Sequence, residues 1–220
     1  MPARALRGET AGMTNHDDPL TFWDSLYSGR PTVTDPRPNA RLVELATDFE
    51  PVDALDLGCG SGGDALWLAR QGWQVTATDI SPVAVQRLAE LAGSLGLPIT
   101  AVQHDLAHSF PAGQFDLVSA HYFQTPFDLD RSAVLRSAAS ALRPGGRLLV
   151  VDHGSSAPWS WNQDPEARFP GPLEIAAGLA LDPQIWTVER ADSPRRTATG
   201  PGGQTAEVID HVLVIRRSRP

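Results

Sequence analysis

Ala54-Leu55-Asp56-Leu57-Gly58-Cys59-Gly60-Ser61-Gly62-Gly63 carries a short apolar strand into a glycine-rich turn, and a helix is predicted to follow over residues 64–71. Glycine has no Cβ, so such a turn lets bare backbone approach a ligand closely. The open amides of the following helix favour polar or anionic groups at its start. Asp79 closes the next strand-like run, Gln74-Val75-Thr76-Ala77-Thr78-Asp79, where its carboxylate can accept from both hydroxyls of a ribose. The pattern predicts a site for a nucleoside cofactor.

Working outward, strands and helices alternate. The first strand spans residues 54–57, and its helix stops at Gly72, a residue suited to the position after a helix C-terminus. The second strand leads to Ser81-Pro82, an N-cap followed by proline at the first helical position. The helix beyond places Ala84, Val85, Leu88, Leu91, Ala92 and Leu95 on one face, and Gly96 and Pro98 stop it. Residues 99–103 and 115–120 read as the third and fourth strands, and 129–142 as a helix. Residues 147–151 form a continuous apolar fifth strand, as expected when both faces are covered. The stretch 153–172, rich in proline, glycine and tryptophan, reads as a long functional loop. Runs near 184–191 and 206–216 flank the turn-rich Thr199-Gly200-Pro201-Gly202-Gly203 and read as an antiparallel pair closing the sheet. The expected fold class is α/β: a doubly wound, mostly parallel, seven-stranded Rossmann-like sheet with an antiparallel last strand. Ligands bind outside the carboxyl ends of such strands. Asp56, Asp79, Asp105, His121 and Asp152 all fall at or near those ends.

The 220 residues are most economically one α/β domain. Residues 1–20 read as a disordered leader, with Met13 a second candidate start; 21–50 read as an N-terminal helical lid segment, and 51–220 as the main domain. No run approaches the ~18 apolar residues of a membrane span, so no membrane partner is expected. With a single cysteine, Cys59, no intrachain disulfide is possible, and a reducing, cytoplasmic setting is expected. The net charge of −8 argues against a broad phosphate-binding surface, so no nucleic-acid partner is expected. All 18 basic residues are arginine. The absence of lysine removes Schiff-base catalysis, the P-loop lysine and the Tyr-x-x-x-Lys pair of short-chain dehydrogenases. His16, His104, His108 and His211 make no metal-ligand spacing, and no metal is expected.

Gly58-x-Gly60-x-x-Gly63 with Asp79 downstream formally satisfies the dinucleotide fingerprint. Asp56, two residues before the first glycine, points away from that reading. A carboxylate there repels a pyrophosphate but suits a ligand carrying an ammonium or sulfonium group. With Asp105-Leu106, Phe115-Asp116-Leu117-Val118 and Leu142-Arg143-Pro144-Gly145-Gly146-Arg147-Leu148 in order, the chain resembles the class I S-adenosylmethionine-dependent methyltransferases. Trp23, Tyr27 and Arg37 ahead of the glycine turn look most like the small bacterial enzymes of the tellurite-resistance and thiopurine type.

The resemblance implies S-adenosyl-L-methionine as cofactor and a small-molecule methyl acceptor as partner, in a monomer or homodimer. It implies that Asp56 and the turn residues Gly58, Cys59 and Gly60 hold the methionine end. Asp79 would hold the ribose and Asp105 the adenine amine, with Ile80 packed on the ring and the Leu106 amide near it; Ala120 is a further candidate for cofactor binding. Arg37 is a candidate for the cofactor carboxylate, since a guanidinium fork matches it. Trp23 and Tyr27 are candidates for a lid over the methyl group, and Trp159 and Trp161 for a wall of the acceptor pocket. Cys59 reads as a small packing residue, not a nucleophile. A base is needed only if the acceptor arrives protonated; His121 and His153 are the candidates, with Tyr122 a third. Two alternatives stay open: an NAD(P)-dependent oxidoreductase resting on the fingerprint, and a non-catalytic S-adenosylmethionine-binding module.

Overall fold

The computed structural model describes residues 18–160, 163–164 and 166–219. Most of the expected leader, with Met13 and His16, lies outside the described residues, as does Trp161. Strands β1 (Asp53–Leu57), β2 (Gln74–Asp79), β3 (Ile99–Gln103), β4 (Phe115–His121) and β5 (Leu142–His153) are parallel. Strand β6 (Trp186–Asp192) and the long β8 (Thr205–Arg217) complete a seven-strand order β3-β2-β1-β4-β5-β8-β6, with β8 antiparallel to both neighbours. This is the doubly wound sheet expected from the alternation of elements.

Two parts differ from the sequence reading. The turn at 199–203 does not join β6 to β8. It closes a hairpin between β8 and an additional strand, β7 (Arg195–Thr199), which pairs from Arg195↔Ile209 to Thr199↔Thr205. Strand β7 alternates between exposed and half-buried positions and carries two arginines, so it lacks the apolar stripe of a core strand. The loop after β5 ends in α6 (Pro172–Leu179), an element that the sequence reading does not name.

Side chains alternate across the sheet with period 2, and this parity decides what reaches the site. Ala54, Val75, Ala77, Leu117, Leu149 and Val151 pack on one face with α2 (Ala40–Ala46), α3 (Gly63–Arg70) and α4 (Pro82–Leu95). Leu55, Leu57, Val118, Ala120 and Leu148 pack on the other with α5 (Arg131–Ser140) and α6. Leu42 and Ala46 of α2 are buried in the first cluster, so this part of the 21–50 segment belongs to the core. The part that lies over the sheet edge is α1 (Pro19–Ser28), which buries none of its residues.

The Arg-Pro-Gly-Gly turn serves the fold. Arg143 Nη1 donates to Asp53 at 2.7 Å and also pairs with Asp116, joining the starts of β1 and β4 at the end of the sheet away from the glycine turn.

Candidate functional site

At the carboxyl ends of β1, β2 and β4 the backbone is held by its own acidic residues. The Cys59 amide donates to the Thr78 carbonyl at 2.9 Å, fastening the glycine turn to β2. Asp79 Oδ2 accepts from the Gly60 amide at 2.9 Å, and its Oδ1 from the Ser81 amide at 2.9 Å. One carboxylate therefore fixes both loops and keeps lone pairs for a ligand. Burial raises its pKa, opposed by the amides of Ser81, Gly60 and Ile80.

Helix α1 is docked by polar contacts. Asp24 Oδ1 accepts from Ser81 Oγ at 2.8 Å and from the Val83 amide at 3.0 Å, so a residue of α1 completes the N-cap of α4. Arg87 Nη1 donates back to the Tyr27 carbonyl at 2.7 Å. This brings Tyr27 over the glycine turn: a Cβ at Gly60, where φ is +52°, would lie 2.8 Å from the Tyr27 hydroxyl. Burial, and then the Asp79 carboxylate, push the Tyr27 phenol above its ordinary pKa. Behind the turn, a Cβ at Gly63 would lie 2.2 Å from the Arg37 carbonyl oxygen, so the segment before α2 crosses here against bare backbone.

Two cavities meet at this edge. The larger, of about 270 Å³, lies under α1 and the loop after β4; Trp23, Asp79, Ile80, Asp105, Leu106 and Phe127 are among its walls. The smaller, of about 170 Å³, is lined by Arg37, Asn39, Asp56, Cys59 and Asp64. Gly58 and His121 border both. The two cavities are therefore neighbours across Gly58 and His121.

The small cavity is unusual in its hydrogen bonding. Asp64 is hydrogen-bonded locally: it accepts from the Asn39 amide at 2.6 Å and from Asn39 Nδ2 at 2.8 Å. Asp56 Oδ2 and His121 Nε2 are buried and have no partner among the described residues. Burial, then Asp64 and Asp79, hold Asp56 well above the usual carboxylate range. Burial depresses the His121 imidazole, opposed by Asp64 and Asp210. Unpaired buried polar atoms are costly, and a ligand with donors at this spot would satisfy both. These acceptors thus fit a cofactor ending in an amino acid.

The remaining candidates are placed as follows. Asp105 lines the large cavity while its oxygens accept from the Ala107 amide at 2.9 Å and pair with His108 Nδ1 at 2.8 Å. Cys59 sits in the core with its thiol pushed well above its usual pKa by burial, which suits packing. Ala120 borders neither cavity. Strand parity turns it into the opposite core from His121. His153 also borders neither; its ring stacks on Tyr122 with centroids 4.4 Å apart. Tyr122 lines the large cavity at a backbone φ of +50°, rare for a non-glycine residue. Its hydroxyl donates to Asp210 Oδ1 at 3.0 Å and accepts from Arg196 Nη2 at 3.2 Å, and burial beside Asp210 pushes its pKa up to about 12. Trp159 packs towards Gly200 in the β7–β8 turn, where a Cβ would lie 2.6 Å from its ring.

The sequence reading missed Phe123, which lines the large cavity, and the pair that sets its loop: Arg131 donates to the Phe123 carbonyl at 2.8 Å and to Asp152 at 2.7 Å. It also missed Asp210, fully buried between Tyr122, Arg41 and Arg196. A lone aspartate inside an apolar strand run, Val208 to Ile215, was the available signal.

Residues 54–146 match the Methyltransferase domain family. A 2-methyl-6-phytyl-1,4-hydroquinone methyltransferase of Synechocystis sp. is 35% identical over 117 residues, 53% of this chain and 34% of that protein. This chain thus spans about a third of that relative's length. Among solved structures, one from work on converting a disulfide bond into a thioacetal group during echinomycin biosynthesis has a TM-score of 0.65 at 24% identity. It covers 90% of this chain and 93% of its own. TehB from Haemophilus influenzae has a TM-score of 0.61 at 18% identity, covering 90% of this chain and 68% of its own. Domain match, relatives and fold agree: residues 54–146 form a methyltransferase domain similar to those of the class I S-adenosylmethionine-dependent enzymes.

Proposed function

We propose that this protein transfers the methyl group of S-adenosyl-L-methionine to an O, N or S atom of a small molecule. The observation that carries the reading is the pair of cavities joined at Gly58 and His121, one with a ribose-type carboxylate and aromatic walls, the other with an unpaired buried carboxylate. The adenosine part occupies the large cavity, with Asp79 on the ribose, Ile80 and Leu106 against the ring and Asp105 at the amine. The amino-acid part occupies the small cavity, with Asp56 on the ammonium and Arg37 on the carboxylate. When bound, the cofactor supplies a methyl carbon already activated by positive sulfur. The protein's part is to hold the two reactants in line and exclude water, which can supply most of the rate. Helix α1 acts as the lid, with Trp23 and Tyr27 on its inner side.

The acceptor approaches beside Tyr122, whose hydroxyl stays protonated across the physiological range and so orients instead of deprotonating. No helix among the described residues is long and apolar enough to cross a membrane, and the net charge of −8 is unfavourable for nucleic acid.

The test is a thermal-shift comparison of S-adenosylmethionine, S-adenosylhomocysteine and NADH, followed by an acceptor screen that includes hydroquinones and thiols. Ligand at ~100 times its dissociation constant adds about 2.7 kcal/mol. Stabilisation by the two adenosyl ligands alone is expected. Stabilisation by NADH instead would sink the reading.

A further inference from the structure

His121 was a candidate base for the acceptor, but its surroundings direct it elsewhere. Its side chain is only 2% exposed and lies on the same face of the sheet as Asp56 and Ser119, since Asp56 pairs with Ser119 in the β1–β4 register. Nδ1 is 2.7 Å from Ser119 Oγ and 3.4 Å from Asp64 Oδ2. A carboxylate can only accept, so its presence on that side favours the tautomer with the proton on Nδ1. Nε2 is then a bare lone pair. It is unpartnered, buried, and belongs to a residue lining the same cavity as the equally unpartnered Asp56 Oδ2. Two buried acceptors in one small cavity call for one group with several donors, and a primary ammonium is that group. Asp64, the other carboxylate lining this cavity, is already occupied by both donors of Asn39.

We infer that His121 binds the cofactor's α-ammonium through Nε2, alongside Asp56, and is a cofactor-positioning residue instead of the acceptor's base. The inference rests on S-adenosylmethionine being the cofactor. A neutral imidazole suits the task better than a second carboxylate would. It adds an acceptor without adding like charge beside Asp56, Asp64 and Asp79, three acidic groups already within electrostatic reach of one another. The Ser119 hydroxyl and the Asp64 carboxylate fix the ring, so its lone pair needs no reorientation when the ligand arrives.

The experiment measures binding by calorimetry, with three probes and no acceptor. S-adenosylhomocysteine carries both ammonium and carboxylate, S-adenosyl-4-thiobutyrate keeps the carboxylate and lacks the ammonium, and 5′-methylthioadenosine lacks both. Wild-type protein binding none of them would remove the cofactor assignment itself, a different failure from the one at issue. His121→Ala is expected to weaken S-adenosylhomocysteine roughly ten-fold and to leave the other two probes within two-fold. His121→Gln, which can return an acceptor, should recover part of the loss. Equal weakening of all three probes would make the residue merely structural. No change for any probe would free His121 for the acceptor. Either result overturns the inference. Should His121→Ala fail to fold, Ser119→Ala removes the hydroxyl that holds Nδ1 at little change in volume. It is expected to weaken S-adenosylhomocysteine a few-fold more than S-adenosyl-4-thiobutyrate, and equal effects would again count against the assignment.

Discussion

The two cavities share Gly58 and His121 but differ in how they are walled. The large one is roofed by α1 and by the loop after β4, which are attached to the sheet through a few polar contacts: Asp24 to α4, Arg87 to the Tyr27 carbonyl, Arg131 to the Phe123 carbonyl. The small one is cut into the end of the sheet, with a nearly fully buried carboxylate and imidazole as its floor. A roof on polar tethers can lift at modest cost, whereas the floor moves only with β1 and β4. On the proposed reading the difference is a division of labour: the large cavity would admit and cover the ligand, and the small one would fix its orientation.

Substitutions that act on one end only can break or sharpen this contrast, using S-adenosylhomocysteine against 5′-methylthioadenosine as the pair of probes. The largest effect is expected for Asp56→Asn. It should weaken S-adenosylhomocysteine roughly 100-fold, about 2.8 kcal/mol, and leave 5′-methylthioadenosine nearly unchanged. The same variant should melt higher than wild type at neutral pH without ligand. The folded-state pKa of Asp56 is raised, so its ionised form is disfavoured in the fold. That penalty exists above the folded pKa and lifts as pH falls through it. The gap in melting temperature should therefore close on acidification; a gap that widens would refute the account.

An intermediate effect is expected for Gly63→Ala. The new Cβ meets the Arg37 carbonyl, a backbone atom that cannot swing away. Overpacking of this kind costs about 1–3 kcal/mol, or roughly 2–4 °C in melting temperature per kcal/mol for a chain of this size. Displacing residues 37–39 also loosens Asn39 from Asp64, so S-adenosylhomocysteine should weaken several-fold more than 5′-methylthioadenosine. Equal weakening would mean that the segment does not belong to the methionine end.

The smallest effect is expected for Asp24→Ala, which removes the acceptor from α1 that helps cap α4. Loss of a cap costs about 1 kcal/mol. Both probes should weaken together, by a few-fold, because the roof serves the part they share. Selective loss of S-adenosylhomocysteine would reverse the assignment of the two cavities.

What could be read from the sequence follows the range of the interactions involved. The glycine turn, Asp79 and the Ser81-Pro82 cap are local, written within a few residues, and each lies at a strand end as expected. The doubly wound, mostly parallel class of the sheet followed from the alternation of strands and helices. Strand β7 escaped because Arg195-Arg196-Thr197-Ala198-Thr199 has no apolar period, its pairing being supplied entirely by β8. Ala120 and His121 are adjacent in sequence and on opposite faces of β4, so naming both for one site ignored strand parity. Tyr27 over Gly60, Asp24 on α4 and the Arg131–Asp152 pair depend on side chains brought together from 21 to 59 residues apart, which no local pattern encodes. His153 sits at a strand end as predicted, yet the ring of Tyr122, turned by its positive φ, stands against it.

The clamp on Tyr122 also has a timetable. Asp210 meets Arg41 across 169 residues of sequence and Tyr122 across 88. Synthesis proceeds from the N-terminus, and contacts of long separation are the last to close. Strands β1 to β5 can therefore align, glycine turn included, while Arg41 and Tyr122 wait for β8 to arrive. On the proposed reading, a nascent chain halted before Asp210 would hold the handle for the cofactor without the latch that steadies the acceptor side, and the last step of assembly would be the one that readies the site for chemistry.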